Sequence, residues 1–575
     1  MLRIRKLYSE PAQFDAIRFT DGVNLILGER DESSDKTNGV GKSMSIEFIQ
    51  FCLLKKFSES RLARIPPATF SYQALVCLDV LINGQPLTIQ RSIKQHEAPV
   101  IVQNGQVTQF ANLNDATLYL GQLLFGSAES ESHPSFRALL GPLMRDEGSE
   151  FKSIVDCYDT TRTVPADYSP HLYFLGIHPG LYNNAKALGR EIEKTKTAQR
   201  KIKDDVEKLT NKEFANAKAN LNELSSQVEK ITTEMANLEN ISSFELVKDE
   251  LIELEISLEQ ARTRQAVFKD ELAKIQLFKG DNYLDNEEVA ALYDRFKMGL
   301  GSMIKKELQE VTRFKQKIDD FQRSLIETRR TSLNQQLAAC AQEIREMDER
   351  YKSLLGLLDQ QGALKSIKVT IATYQKKLEE HGQLAAFIKK YDDYEKQIKH
   401  DSRERGLAIS NLGALIDTAE TSTCAALEQT ILRIHEVVMG NRTSSFEIEL
   451  DDKKAVVHFE LRIDSDGSHS NEREKVFIYD LALLLTPELT AYHPGFLVHD
   501  NIFDVDQDTL LKSLNFLADN ADALEQKQYI LTLNSDKLHR EERAGLRLDL
   551  AQCTRAQFSK DKRFLGQKYQ QLAKK

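Results

Sequence analysis

The chain has no tryptophan, 12 prolines and 26 glycines in 575 residues. So few turn-formers among 29% charged residues argue for long exposed helix beside a modest core. The six cysteines, Cys52, Cys77, Cys157, Cys340, Cys424 and Cys553, lie far apart and none forms a CxxC. The lack of a CxxC excludes a zinc-linked apex, and buried free thiols in a reducing compartment are expected. No apolar run approaches the roughly 20 residues needed to span a bilayer. The start, MLRIRKLYSE, lacks an apolar signal core, so no membrane association and a cytoplasmic location are expected. The net charge is −10 with a pI of about 5.8, so the whole molecule offers no attractive field to nucleic acid. Contact with DNA would need a local basic patch.

The pattern along the chain divides it into 1–180, 181–435 and 436–575. In the first part "ALVCLDVLINGQPLTIQRSI" reads as two strands joined by an Asn-Gly turn, and "PVIVQNGQVTQF" repeats the arrangement. In the middle part apolar residues recur at spacings of three and four, as in Leu221, Leu224, Val228, Ile231 and Met235. The stripe returns from Leu337 to Leu358 and from Leu384 to Ile398. This is the seam of a coiled coil. A break is expected at "NISSF", a reversal near 278–304 and a joint near 362. In the last part "SFEIELDDKKAVVHFELRI" reads as a hairpin, and "GFLVHD" and "QYILTLN" as apolar strands. Neither outer part looks complete alone. The simplest architecture is one α/β head, split in sequence and joined by a long antiparallel coiled-coil hairpin.

Between Leu25 and Ser45 lies "LILGERDESSDKTNGVGKSMS". Phosphate loops need backbone N–H groups facing the phosphates, a lysine on the β/γ oxygens and a hydroxyl on Mg²⁺. Asn38, Gly39, Val40, Gly41, Lys42 and Ser43 supply these, and "SMSIEFIQFCLLKK" would add its helix N-terminus. The usual first glycine is replaced by Lys36, and Gly28 ends the strand eight residues earlier. Glu29, Asp31, Glu32 and Asp35 in this insertion would be costly beside phosphate, so it should project away. A Gly-rich turn capping a helix is the plainer alternative. In the last part Asp500, at the end of an apolar strand, is the candidate metal carboxylate beside Ser43. Asn501 follows it. Asparagine can orient a water but cannot take its proton, so hydrolysis should be slow.

Split head, phosphate loop, long hairpin and C-terminal acidic strand together resemble the SMC-like ABC-type P-loop ATPases. That group includes the chromosome-structure proteins, RecN and the coiled-coil break-repair ATPases. "LILGERD…TNGVGKS" at the front, with "YDLALL", "HD" and "FD" at the back, is similar to a bacterial subgroup. Its members serve anti-phage defence operons, Lamassu-like and three-component ABC systems among them. The resemblance implies ATP and Mg²⁺ as ligands, a homodimer through ATP-bound heads, double-stranded DNA as a partner, and effector and accessory subunits of a defence complex. It also implies a glutamate at position 501, where Asn501 stands, and a glutamine near the metal, where "LMRDEGSEF" offers Glu147. The Ser-Gly-Gly signature is replaced by "GSHSNEREKVF", in which Ser470 and Asn471 face a partner's γ-phosphate or Ser470 merely caps a helix. The histidine after the last strand gives way to Asn534 and Ser535. A housekeeping repair ATPase and a coiled-coil scaffold with a decayed site are the competing expectations. The densest basic runs, "RFKMGLGSMIKKELQ", "IETRRTS" and the C-terminal tail, are candidate DNA contacts or plain solvated helix faces.

Overall fold

The computed structural model describes residues 1–29, 39–126, 133–161, 164–237, 248–277, 304–358, 364–451, 455–463, 469–503, 507–537 and 545–572. Asn38, the acidic insertion after Glu29, the expected break at 240–244, the reversal segment up to 303 and the joint near 362 lie outside the described residues, as do the side chains of Ser470 and Asn471. The chain folds as two compact units, Met1–Glu193 with Lys399–Lys575, and Lys194–Ile398. The composition borders at 180/181 and 435/436 differ from these. Composition changes where long helix begins and ends, whereas contacts change part-way along the helices.

The strands in chain order are β1 (Leu2–Glu10), β2 (Ile17–Arg18), β3 (Gly22–Gly28), β4 (Leu75–Ile82), β5 (Gln85–Ser92), β6 (Val100–Gln103), β7 (Gln106–Gln109) and β8 (Met144–Arg145). After the long helices come β9 (Ser444–Asp451), β10 (Val456–Ile463), β11 (Phe496–Asp500), β12 (Gln528–Asn534) and β13 (Thr554–Phe558). The principal helices are α1 (Lys42–Cys52), α2 (Leu113–Phe125), α3 (Phe136–Leu143), α4 (Ser169–Phe174), α5 (Gly180–Thr210), α6 (Phe214–Asn237), α7 (Lys248–Leu277), α8 (Ile304–Leu358), α9 (Leu364–Ala419), α10 (Ala425–Met439), α11 (His469–Leu485) and α12 (Gln507–Asp519).

The first unit holds two larger sheets. One is antiparallel, ordered β2-β1-β4-β5-β6-β7. Its tight turns use Asn83 and Gly84, then Asn104 and Gly105, all with positive φ, which matches the right-handed twist of the paired strands. The other is ordered β13-β3-β12-β11-β8 with every described pair parallel. It draws strands from both ends of the chain. β3, β11 and β12 are almost wholly buried, as expected of a parallel sheet covered on both faces. Gln528 joins the two sheets, its side chain accepting from Ile4 N and donating to Ile4 O, both at 2.8 Å. β9 and β10 form the separate hairpin.

The second unit is helical. Arg262 meets Asp348 at 3.2 Å, Arg350 meets Glu250 at 2.6 Å and Arg329 meets Glu271 at 2.8 Å. Low numbers pair with high ones, so α7 and α8 run antiparallel. Lys218 meets Asp392 at 3.0 Å and Ser225 Oγ lies 2.8 Å from His381 Nε2, which sets α6 antiparallel to α9, with Phe214 packed near Tyr391. Leu251, Leu258, Ala261, Leu333, Cys340, Tyr351, Leu384 and Ile388 are buried along these seams. Among the described residues no helix is long and apolar enough to cross a membrane. All six cysteines are free, and four of them, Cys52, Cys77, Cys340 and Cys424, are buried.

Candidate functional site

Parallel strands deliver their carboxyl ends to one edge of a sheet. Here that edge collects Gly28 from β3, Asn534 from β12, Asp500 from β11, and Glu147 from the 3₁₀ turn just after β8. Helix α1 starts at the same edge. Ser43 Oγ donates to Asp500 Oδ1 at 3.1 Å, across 457 residues of chain. Thr532 Oγ1 donates to the same oxygen at 2.7 Å and accepts from Asn501 N at 2.9 Å. Asp500 is fully buried, and burial first, then the nearby Glu147 charge, pushes its carboxyl up to about 6.

Gly41 has φ 114°, and a Cβ there would lie 2.5 Å from Phe564 Cβ. Phe564 N donates to Val40 O at 3.1 Å, and Arg563 donates to Gly39 O at 2.7 Å. The end of the chain thus braces the 39–41 turn from behind. A Cβ at Gly28 would stand 2.7 Å from Lys42 Nζ, so a side chain there would displace the amine. The Lys42 amine is buried and donates to Asn534 Oδ1. Burial lowers its pKa against the pull of Asp500 and Glu147. α1 is shorter than the expected Ser43–Lys56 segment. It ends at Cys52, where Leu54 turns to φ 67° so that Leu53 and Leu54 reach the core.

Glu147 and Asn501 come together at the solvent-facing rim. Asn501, with φ 63°, donates from Nδ2 to Glu147 Oε1 at 2.8 Å. Arg61 faces the same acidic rim. Burial lowers its pKa, but Asp146, Glu47, Asp500 and Glu147 more than offset this, so it stays above its ordinary value. α11 begins at His469, which puts Ser470 inside the helix rather than at its cap, with Asn471 next to it.

Sequence reasoning missed Thr532, Arg61 and the brace from Arg563 and Phe564. Thr532 had a weak signal, as a hydroxyl inside the apolar run from Ile530 to Leu533. The brace had none, since nothing local links the chain terminus to the 39–41 turn. The basic run at 326–332 is a paired helix face, with Arg329 on Glu271 and Arg330 on Glu327 at 2.7 Å. Among the described residues no cluster of His, Cys, Asp or Glu has the form of a multi-ligand metal centre.

Residues 431–569 match the family described as an uncharacterised protein conserved in bacteria (DUF2326). That segment includes Asp500, Asn501 and Asn534 and leaves out the 39–43 turn. The chain is 21% identical to "Uncharacterized protein YydD" of Bacillus subtilis (strain 168) over 570 residues, 90% of each. Similar solved structures include an Smc head domain with a coiled coil and joint derived from Pyrococcus yayanosii, 13% identical with TM-score 0.35, covering 95% of this chain and 94% of that one. Another is an Smc head domain with an extended coiled coil bound to the C-terminal domain of ScpA derived from Pyrococcus furiosus, 12% identical with TM-score 0.34, covering 95% and 92%.

Proposed function

We propose that this chain is an SMC-like ATPase that binds ATP at the 39–43 turn, hydrolyses it slowly, and uses it to bring two heads together. The observation that carries this reading is the 3.1 Å approach of Ser43 Oγ to Asp500 Oδ1. A hydroxyl opening a helix and a buried carboxylate ending a parallel strand are the two oxygen donors a hard cation needs beside a nucleotide.

The residues fit ATP and Mg²⁺. Gly28 keeps side-chain bulk away from the Lys42 amine, which is aimed at the strand edge, and Gly41 gives the turn its positive φ. Asp500 is held protonated to about 6 largely by burial, a cost that an adjacent cation would offset. Ser43 and Asp500 would hold the Mg²⁺, which when bound supplies charge neutralisation on the phosphate oxygens. Lys42 exchanges Asn534 for a phosphate oxygen, and the N-terminus of α1 adds its backbone N–H groups. Asn501 cannot accept a proton, but it orients the Glu147 carboxylate, and Glu147 takes the proton of the attacking water. Ser470 and Asn471, in the first turn of α11, address the nucleotide of a second head.

The motif resemblance supports the finer part of the reading. The ATPase would sense double-stranded DNA and control an effector subunit in a bacterial anti-phage defence complex. The test is ATP turnover by the purified protein alone, with linear duplex and with closed circular duplex, beside Lys42→Ala. Slow turnover that rises with one DNA form and vanishes in the variant supports the reading. Turnover equal in the variant sinks the ATPase, and turnover indifferent to both DNA forms sinks the sensing role.

A further inference from the structure

α11 meets the end of β11 along one face. Arg473, Phe477 and Asp480 stand at i, i+4 and i+7, the spacing that puts three side chains on one side of a helix. Arg473 Nη1 donates to the Asn501 carbonyl at 3.0 Å, and its guanidinium lies 5.3 Å from the Phe151 ring centre. The Phe477 ring packs on Phe503 with centroids 5.0 Å apart. Asp480 Oδ2 lies 3.0 Å from His499 Nε2 and accepts from Arg145 Nε at 2.5 Å. The three contacts fall on residues 499, 501 and 503, so they bracket Asp500 from both sides.

The inner contact is part of a closed polar chain. Arg145, Asp480 and His499 are fully or almost fully buried. His499 Nδ1 lies 2.9 Å from the Tyr529 hydroxyl. Asp480 accepts from the Arg145 guanidinium, and with Asp480 as acceptor Nε2–H of His499 donates to it and the Tyr529 hydroxyl donates to Nδ1. The proton placement follows from the hydrogen-bond partners. Burial also favours the neutral imidazole. Every member of the chain has a partner, which makes it rigid rather than merely filled.

We propose that Arg473, Asp480 and His499 are positioning residues that tie the helix carrying Ser470 and Asn471 to the strand end carrying Asp500 and Asn501. Engagement at the helix start and cation binding at Asp500 are then linked, and the linkage acts equally in both directions. The inference rests on the ATPase reading above.

The test is the double variant His499→Leu/Tyr529→Phe. It removes both partners of one hydrogen bond together, which avoids stranding a polar group, and leaves Asp480 paired with Arg145. Melting temperature, binding of a fluorescent ATP analogue with and without Mg²⁺, and turnover are measured in the full chain. The expected result is near-wild-type melting and metal-free affinity, with the Mg²⁺-dependent gain in affinity and the turnover each down about tenfold. His499→Gln, whose amide can still donate to Asp480, restores part of both. A folded double variant with wild-type Mg²⁺ gain and turnover overturns the proposal, as does a parallel loss of every property with melting temperature. Should the double variant not fold, Tyr529→Phe alone decides, with the same pattern in smaller measure expected and wild-type behaviour overturning it. Wild-type protein that binds ATP no better than Lys42→Ala overturns the ATPase reading instead, and is told apart by that control.

Discussion

Asn501 stands after the buried Asp500 in a left-handed backbone conformation, φ 63°, which asparagine tolerates better than most residues. That turn brings its amide to Glu147 and its carbonyl to Arg473. A glutamate at 501 would set a second carboxylate against Glu147, and in the proposed ATPase proton acceptance falls to Glu147. Glu147→Gln is therefore expected to lower turnover by about a hundredfold or more while nucleotide affinity stays near wild type. Equilibrium binding of a fluorescent analogue beside a phosphate-release assay separates the two. Asp500 gives a stability prediction of opposite sign. Its ordinary value is 3.8 and its folded value about 6, so between these pH values the folded state holds more protons than the unfolded state. Stability from this residue falls as pH rises through that window. Asp500→Asn should thus melt higher than wild type at pH 8 without metal, and lose the stabilisation that Mg²⁺ and ATP give the wild type. Gly41→Ala should cost about 1–3 kcal/mol from backbone strain, with the contact to Phe564 adding to it, and thermal unfolding reads this directly.

At the scale of elements, β8 is only two residues long, and its place in the sheet depends on Arg145. That guanidinium donates to Asp480 and to the carbonyls of Ser153, Ile154 and Asp156. Glu147 follows two residues later, so α11 holds both the strand and the carboxylate after it. Asp480→Ala would leave a buried cation without its counter-charge, and a loss of about 3–5 kcal/mol is expected in denaturant unfolding. Acid should act on the same region. Burial holds His171 and His493 down to about 3 from the ordinary 6.5. The folded state then binds fewer protons than the unfolded state between those pH values. Stability from these residues is complete above 6.5 and is lost as pH falls below it. Two histidines shifted this far outweigh the single Asp500 acting the other way. Chemical denaturation at pH 7 and pH 5 without metal should show the lower midpoint at pH 5.

At the scale of the whole molecule, ATP would act as a ligand for pairing of two chains. Sedimentation velocity with ATP and Mg²⁺ is expected to show a dimer that is enriched in Glu147→Gln, where slow hydrolysis prolongs the bound state, and absent in Lys42→Ala. A net charge of −10 opposes non-specific DNA binding, and the described basic run at 326–332 is already ion-paired. Any duplex contact must then come from other basic residues, and its affinity should fall with salt in a titration across salt concentrations.

The elements set by local chemistry could be read from the sequence alone. Asn-Gly pairs between alternating apolar runs gave the turns at 83–84 and 104–105. Three-four spacing gave the long helices. Unbroken apolar runs gave β3, β11 and β12, and the Gly-rich turn before α1 named Lys42 and Ser43. Asp500 was legible because it ends such a run. Only the tertiary structure decided what these residues meet. Strand order places β3 beside β12, and β11 beside β8, so that Asn534 reaches Lys42 and Asn501 reaches Glu147. It also set Arg145 against Asp480, which is 335 residues away, and folded Phe564 behind Gly41. The physical reason is range. Turn conformation and helix or strand period are fixed by neighbours within a few residues. Which carboxylate faces which amide depends on how strands from the two ends of the chain are ordered in one sheet, and no local pattern records that order.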